Sequence, residues 1–396
     1  MKKPSALILC AADPNSNPRP NRMIHWLKDD YDVTVVGWTG VRIENVKSIP
    51  LFRTDQADFE KIATGKYRGI NRYLQILLYI FRLLTRRFED IVWSRLGNAY
   101  KLRGELASQK FSLIISHDCT LLPLAFSAKG DHSRIVLDAR EYYPKEFDDR
   151  WQWRLLTKPV NRYLCEKYLK KCDKILTVGD GLAQEYAREY GVFPEVVMSL
   201  PHFSDLRPVS VKEKAIRIIH HGIASASRRT ELMIEMMDYL DERFTLDLML
   251  VVSNDGYWKK MESMVKSRRN VRIIPPVPMQ EIVPFINQYD IGLFLCPPIS
   301  FNLKYTLPNK FFEFIQARLA VAIGPSIEME KIVTEYDCGV VSRDFEPRSL
   351  AEEISRLTVD KITYYKLQSH RAAGELCSEA NRSKVQRLFH ELLANN

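Results

Sequence analysis

The chain has no Cys-x-x-Cys pair. Its seven cysteines, Cys10, Cys119, Cys165, Cys172, Cys296, Cys338 and Cys377, are scattered, with no companion histidines at zinc spacing. That pattern argues against a structural metal and predicts free thiols in a reducing cytoplasm. No apolar run approaches the roughly 20 residues needed to cross a bilayer, so no integral membrane segment is expected. The apolar part of the amino-terminal stretch is only Ala6 to Ala12, followed by a polar, proline-rich loop. It reads as a first buried strand rather than a signal peptide. There is no G-x-G-x-x-G turn and no P-loop ending in Gly-Lys-Ser/Thr, so conventional NAD and ATP enzymes lose ground. No short-period repeat and no low-complexity tract occur. The only Asp-x-Asp, Asp30-Tyr31-Asp32, falls where a helix turns into the second strand. It reads as a surface turn rather than a metal site, and neither metal nor cofactor is expected.

Charge of one sign is plentiful. The 396 residues are 46% hydrophobic and 27% charged, ordinary for two or three globular domains, and the net charge is +9. Such an excess implies an anionic partner: nucleic acid, a membrane surface or phosphorylated small molecules. The cations concentrate between residues 61 and 103, among them Lys66, Arg68, Arg72, Arg82, Arg86, Arg87 and Arg95. A helix over Ile70 to Phe88 places Arg72, Gln75, Arg82 and Arg86 on one stripe, with Leu74, Ile76, Leu77, Leu78, Ile80, Phe81, Leu83 and Leu84 around the rest. That layout suits docking on an anionic leaflet, each cation contributing about 1 kcal/mol. A helix packed on its own sheet with its arginines in water would read the same way. Nucleic acid is not expected as a partner, because only the net charge speaks for it.

Short apolar strands alternate with helical stretches along the chain. The first series is Ala6 to Cys10, Asp32 to Gly37, Leu113 to Ser116, Ile135 to Asp138 and Lys174 to Val178, with a helix at Arg22 to Lys28. A polar, proline-bearing linker at Leu200 to Asp205 precedes the second: Ile216 to His220, Asp247 to Val252, Val271 to Ile274, Ile291 to Leu295, Ala320 to Ile323 and Cys338 to Val341. Helical segments at Thr230 to Asp241, Tyr257 to Ser267 and Met279 to Asn287 separate these. This is the pattern of two α/β domains with parallel sheets, and from Leu350 the pattern is helical with no further strand.

In open parallel sheets ligands bind beyond the carboxyl ends of the strands. After the first strand, Arg19 and Arg22 stand in a loop where they reach an anionic acceptor or are merely solvated. The next strand ends carry Ser116-His117-Asp118, and then Arg140-Glu141 with Tyr142 and Tyr143. Each pair supplies donors and acceptors for a sugar-like molecule, or serves as a cap or ion pair. In the second series Gly222 permits close backbone approach, and Arg228 or Arg229 opens the following helix. In Leu307 to Pro325, Pro308 fits the first helical turn, and Lys310 and Glu313 share one helix face. Lys310 can neutralise a diphosphate while Glu313 accepts hydrogen bonds from a ribose diol. An ordinary solvated Lys/Glu pair on an amphipathic helix has the same spacing.

Through the Ser16 to Arg19 loop, Ser116-His117-Asp118, Asp138 to Pro144, Gly222 with Arg228, and Leu307 to Pro325, the chain resembles the retaining, nucleotide-sugar-dependent glycosyltransferases of the GT-B fold. Within these it is similar to the family 4 group of bacterial surface-polysaccharide enzymes. The resemblance implies two facing Rossmann-like domains with parallel sheets. Residues 1–203 would bind the acceptor, residues 204–372 the nucleotide-sugar donor, and residues 373–396 would cross back onto the first domain. It implies that Arg228 and Lys310 hold the donor diphosphate, that Glu313 binds the ribose, and that the loop around Val277 and Pro278 meets the base. Gly222, Tyr305 and Asn309 complete the donor side, and Arg19, His117, Asp118, Arg140 and Glu141 the acceptor or sugar side. The chain departs from the family at Tyr305, where a glutamate usually contacts the donor sugar, and at Arg140, where a histidine is common.

The implied reaction is metal-independent glycosyl transfer with retention from a nucleotide-diphosphate sugar to a lipid-linked or polysaccharide acceptor. It would serve capsule, O-antigen or lipopolysaccharide synthesis on the inner face of the plasma membrane. Charge develops on the leaving diphosphate, so electrostatic stabilisation by Arg228 and Lys310 is the main task. The alternatives are a non-catalytic nucleotide-sugar or glycan binder of an assembly complex, and a sugar-nucleotide epimerase.

Overall fold

A computed structural model describes residues 3–51, 70–252 and 255–394, without the side chains of residues 70–72 and 255. Lys66 and Arg68, and the side chain of Arg72, therefore lie outside the described residues. The chain divides into two compact units, Met1–Val197 with Lys384–Asn396, and Met198–Ser383.

Among the described residues the first unit holds seven strands: β1 Ser5–Leu9, β2 Asp32–Gly37, β3 Lys47–Pro50, β4 Leu113–Ser116, β5 Arg134–Ala139, β6 Lys174–Thr177 and β7 Glu195–Val196. Their order is β3-β2-β1-β4-β5-β6-β7, and every pairing is parallel. The two edge strands escape sequence reading because they are short and only half-buried, so their side chains carry little apolar signal. The central strands are buried on both faces and read as continuous apolar runs, as parallel strands between helices must. Val385 and Phe389, from the last helix, Ser378–Ala394, are buried in one core cluster with Ile8, Trp26, Val35 and Ile115.

The second unit holds β8 Ile216–Ala224, β9 Phe244–Val252, β10 Val271–Ile274, β11 Ile291–Phe294, β12 Ala320–Ile323 and β13 Gly339–Val341, in the order β10-β9-β8-β11-β12-β13. Alternate strand residues feed two cores, one with Ile216, Ile218, Leu246, Leu248 and Leu293, the other with Ile219, Met249, Phe294, Val321 and Ile323. Strand order reverses between β8 and β11. The strand β8 pairs with β9 over its whole length, from Ile216 to Ala224, but with β11 only at Ile218 and Ile219. Beyond Ile219 the two central strands part, and a gap opens at the switch point where open α/β sheets bind ligands.

Several helices differ from the expected bounds. The helix predicted over Ile70 to Phe88 ends at Leu84. Arg86 lies past it with φ 56°, while Arg87 N–H donates to Arg82 O and Arg86 N–H to Leu83 O. This is a Schellman cap with arginine in the left-handed position usually taken by glycine. A helix packed against its own sheet is not what forms here. Tyr73, Leu74, Ile76, Leu77, Leu78, Ile80, Phe81 and Leu84 are exposed, Leu84 to 78%. Pro308, expected in the first turn of its helix, is instead the N-cap residue, extended at ψ 148°, and Asn309 starts the helix.

Candidate functional site

In the second unit the helix Asn309–Gln316 is pinned by its apolar face. Phe311, Phe312, Phe314 and Ile315 are fully buried, and a β-carbon on Gly292 of β11 would stand 2.3 Å from Phe314. The missing side chain lets Phe314 press onto the strand, which draws the first turn of the helix to the strand ends. A second Schellman cap closes the helix, with Arg318 at φ 62° and Leu319 N–H donating to Phe314 O.

Lys310 is consequently buried, 6% exposed, in the gap beyond Ile219. Its Nζ lies 3.4 Å from His220 Nε2 and 5.3 Å from the centre of the Phe294 ring. It occupies the space that Gly222, at φ 130°, leaves open, since a β-carbon there would stand 2.5 Å from Nζ. Burial, then the neighbouring Arg228 guanidinium, pull the lysine down from its ordinary value to about 7, against the charges of Cys296 and Glu313. Glu313, one turn further along, places Oε2 3.3 Å from His221 Nε2. Burial and Lys310 hold His220 well below the ordinary histidine range and bring His221 to about 3, so both imidazoles are neutral at pH 7. Gly222, Arg228, Lys310 and Glu313 are thus brought together at one end of β8. A buried cation that is only partly charged without a ligand becomes fully charged when an anion arrives.

The other residues expected on the donor side lie in the same unit. Arg228 closes the short 3-10 turn Ala226–Arg228 after β8. Val277 is partly buried against the core that holds Phe311 and Phe312. Asn309 is the first residue of the helix. Tyr305 ends the one-turn helix Phe301–Lys304, with its ring 5.1 Å from that of Phe301.

The first unit separates its candidates into two groups. Arg19 is 6% exposed and its guanidinium donates to both carboxylate oxygens of Asp138, at 2.7 and 2.6 Å, and to Val197 O at 2.7 Å. His117 Nδ1 lies 2.8 Å from the same Asp138, so Asp138 is a buried hub for two candidates. Against the penalty of burial, Arg19 and His117 hold that carboxyl below the usual range. The loop arginine reads as solvated or ligand-bound because sequence cannot show a carboxylate more than a hundred residues away.

The second group centres on Arg140, whose Nε is buried without a hydrogen-bond partner. Asp118, Glu141 and Tyr143 act on its charge. Asp118 caps the 3-10 turn Cys119–Leu121, accepting from Thr120 N–H and from Thr120 Oγ1, which is the capping alternative open at that position. Glu146 joins this group unannounced by the sequence. Burial, with Asp118 and Glu141, raises it to about 8. Among the described residues, no three His, Cys, Asp or Glu side chains converge as a metal ion would require.

No family model matches the chain, and no curated protein matches it in sequence. Solved structures match its fold. The α,α-trehalose 6-phosphate synthase of Burkholderia multivorans superimposes with a TM-score of 0.66 at 11% identity, over 99% of this chain and 98% of the other. TarM superimposes with a TM-score of 0.69 at 10% identity, over 97% of this chain and 98% of that one. A mutant of S. aureus TarM, in complex with fondaparinux, α-GlcNAc-glycerol and UDP, gives 0.60 at 13% identity, over 74% of this chain and 58% of that one. The α/β fold with two parallel sheets, expected from the sequence as GT-B, is the fold of this protein.

Proposed function

We propose that the chain is a glycosyltransferase taking a sugar from a nucleotide-diphosphate donor. The observation that carries this reading is the placement of Lys310 in the space left by Gly222, with Arg228 and Glu313 beside it at the switch point of the second sheet. A buried lysine and a nearby arginine suit the two negative charges of a leaving diphosphate, and a carboxylate one turn on suits a ribose diol. The fold is shared with TarM, one complex of which contains UDP and α-GlcNAc-glycerol. The finer reading is metal-independent transfer with retention to a lipid-linked or polysaccharide acceptor of a bacterial surface glycan. In it the donor phosphate itself accepts the acceptor's proton, and Arg140, Glu141 and His117 flank the acceptor or the transferred sugar.

The experiment is a thermal-shift screen with UDP, GDP and CDP, followed by turnover of the matching sugar donors. A nucleotide at about 100 times its dissociation constant adds roughly 2.7 kcal/mol of stability, an effect that Lys310→Ala removes. No stabilisation by any of the three overturns the reading. Tyr305, standing where a carboxylate would contact the donor sugar, favours one competing reading, a non-catalytic binder. Intact nucleotide binding without turnover of any donor identifies it.

The same protein is proposed to work on the surface of an anionic membrane. No described helix is long and apolar enough to cross a membrane. The helix Ile70–Leu84 presents its exposed apolar side chains beside the helix Trp151–Leu156, joined to it by the Tyr79 hydroxyl, which donates to Leu156 O at 2.7 Å. Trp151 and Leu155 of the second helix, and Phe147 shortly before it, are exposed too. Arg82, Arg86, Arg87, Arg150 and Arg154 border these side chains in sequence. Apolar groups entering the headgroup boundary, with arginines at lipid phosphates, are the chemistry of interfacial docking.

A further inference from the structure

The consecutive histidines in the middle of β8 differ from one another in what each ring nitrogen faces. His220 Nδ1 lies 2.8 Å from the carbonyl oxygen of Leu293, across the gap where β8 and β11 have parted. A carbonyl only accepts, so Nδ1 carries the hydrogen and Nε2 keeps a lone pair. That lone pair faces Lys310 Nζ at 3.4 Å. His221 is arranged the other way round. Its Nε2 lies 3.3 Å from the Glu313 carboxylate, within ion-pair distance although not aligned as a hydrogen bond, and a carboxylate also only accepts. Packing fixes both rings: His220 stacks on Phe294 with 20° between planes, and His221 meets Phe314 edge-on at 87°. Both imidazoles are almost completely buried, 2% and 4% exposed, so water does not compete for their nitrogens.

We propose that His220 and His221 are a positioning pair held in opposite tautomers, His220 offering Nε2 to the Lys310 ammonium and His221 keeping Nε2–H next to the Glu313 carboxylate. This rests on the donor-site reading of Lys310 and Glu313 and adds how that site is built. A strand turns successive side chains to opposite faces, so two adjacent residues aim one helix turn's cation and carboxylate independently. Neither histidine touches the nucleotide. Each removes freedom from a flexible side chain before the ligand arrives, which lowers the ordering cost of binding.

The test uses the full chain and four probes: UDP, its 2′-deoxy analogue, uridine and inorganic pyrophosphate, or the guanine set if GDP binds better. His220→Asn keeps an amide N–H for the Leu293 carbonyl but removes the acceptor facing Lys310. Loss of a charged hydrogen bond predicts about tenfold weaker binding of UDP and pyrophosphate, with uridine unchanged. His221→Phe keeps the ring on Phe314 and removes the donor. It is expected to collapse the preference for UDP over its deoxy analogue while pyrophosphate binding holds, and His221→Gln to restore that preference in part. In the unmodified protein, imidazole 15N spectra are expected to show His220 protonated on Nδ1 and His221 on Nε2. The same tautomer at both residues overturns the proposal without any variant. So does a uniform loss, or no loss, across the four probes while Lys310→Ala and Glu313→Ala still impair UDP binding. If those two substitutions leave UDP binding intact, the donor-site reading fails and the pair falls with it.

Discussion

Lys310 and Gly222 share one volume: the lysine Nζ lies 2.5 Å, and its Cε 3.1 Å, from the point where a β-carbon on Gly222 would stand. Gly222→Ala therefore displaces Lys310, and φ 130° strains any residue but glycine there. The expected result is a loss of nucleoside-diphosphate affinity of about tenfold or more, with a drop in stability of roughly 1 to 3 kcal/mol. Isothermal titration beside a thermal melt checks both. Unchanged affinity would mean that the lysine has no part in binding.

Lys310 also makes binding depend on pH. The groups facing it are His220 and His221 from β8, Arg228 from the following turn, Cys296 after β11 and Glu313 on its own helix. With the two histidines neutral, the lysine is the group that changes charge near pH 7. Nucleoside-diphosphate affinity is expected to fall as pH rises from about 7 toward 9, because binding must then recruit a proton. Lys310→Arg stays charged and should flatten that slope. The sign for stability is opposite. The folded value lies below the ordinary 10.5, so the unfolded chain binds more protons between the two, and stability without ligand rises with pH from about 7 to 10.5.

Asp138 is held ionised in the core by Arg19 and His117. Asp138→Asn leaves a buried guanidinium without its counter-charge, at a cost of about 3 to 5 kcal/mol. Chemical denaturation at pH 7 measures it, and a cost below about 1 kcal/mol would contradict the hub arrangement. Since the folded carboxyl lies below its ordinary 3.8, its contribution is complete above that value and is lost as pH falls through the folded value.

On the surface, Leu77→Glu with Phe81→Glu places two charges among exposed apolar side chains. Flotation with phosphatidylglycerol vesicles at low salt should fall several-fold, and the melting temperature should hold, because neither side chain is part of a core. Equal flotation of the double variant and the parent protein removes the membrane from this reading.

Most central strands were legible because both of their faces are buried, so each reads as an unbroken apolar run. Asp32–Gly37, Leu113–Ser116 and Ala320–Ile323 fall where the pattern puts them. Lys47–Pro50 and Glu195–Val196 did not, since a short edge strand has one neighbour and little apolar demand. In the candidate site, the spacing of Lys310 and Glu313 marks one helix face, yet it is shared by any solvated pair. Nothing local distinguishes Arg19, locked to Asp138, from Arg140, whose Nε has no hydrogen-bond partner. A signal for the histidine pair was present: two adjacent imidazoles directly before a glycine.

Backbone periodicity therefore determined, from the sequence alone, two parallel-sheet units and a helix carrying a cation and a carboxylate on one face. Periodicity is local, a matter of rise and turn per residue. What that cation meets was decided only by the fold. His220 and Lys310 are 90 residues apart and come within 3.4 Å because β11 parts from β8 and Gly292 admits Phe314. Those contacts depend on strand order and on the absence of single side chains, which no spacing in the sequence encodes.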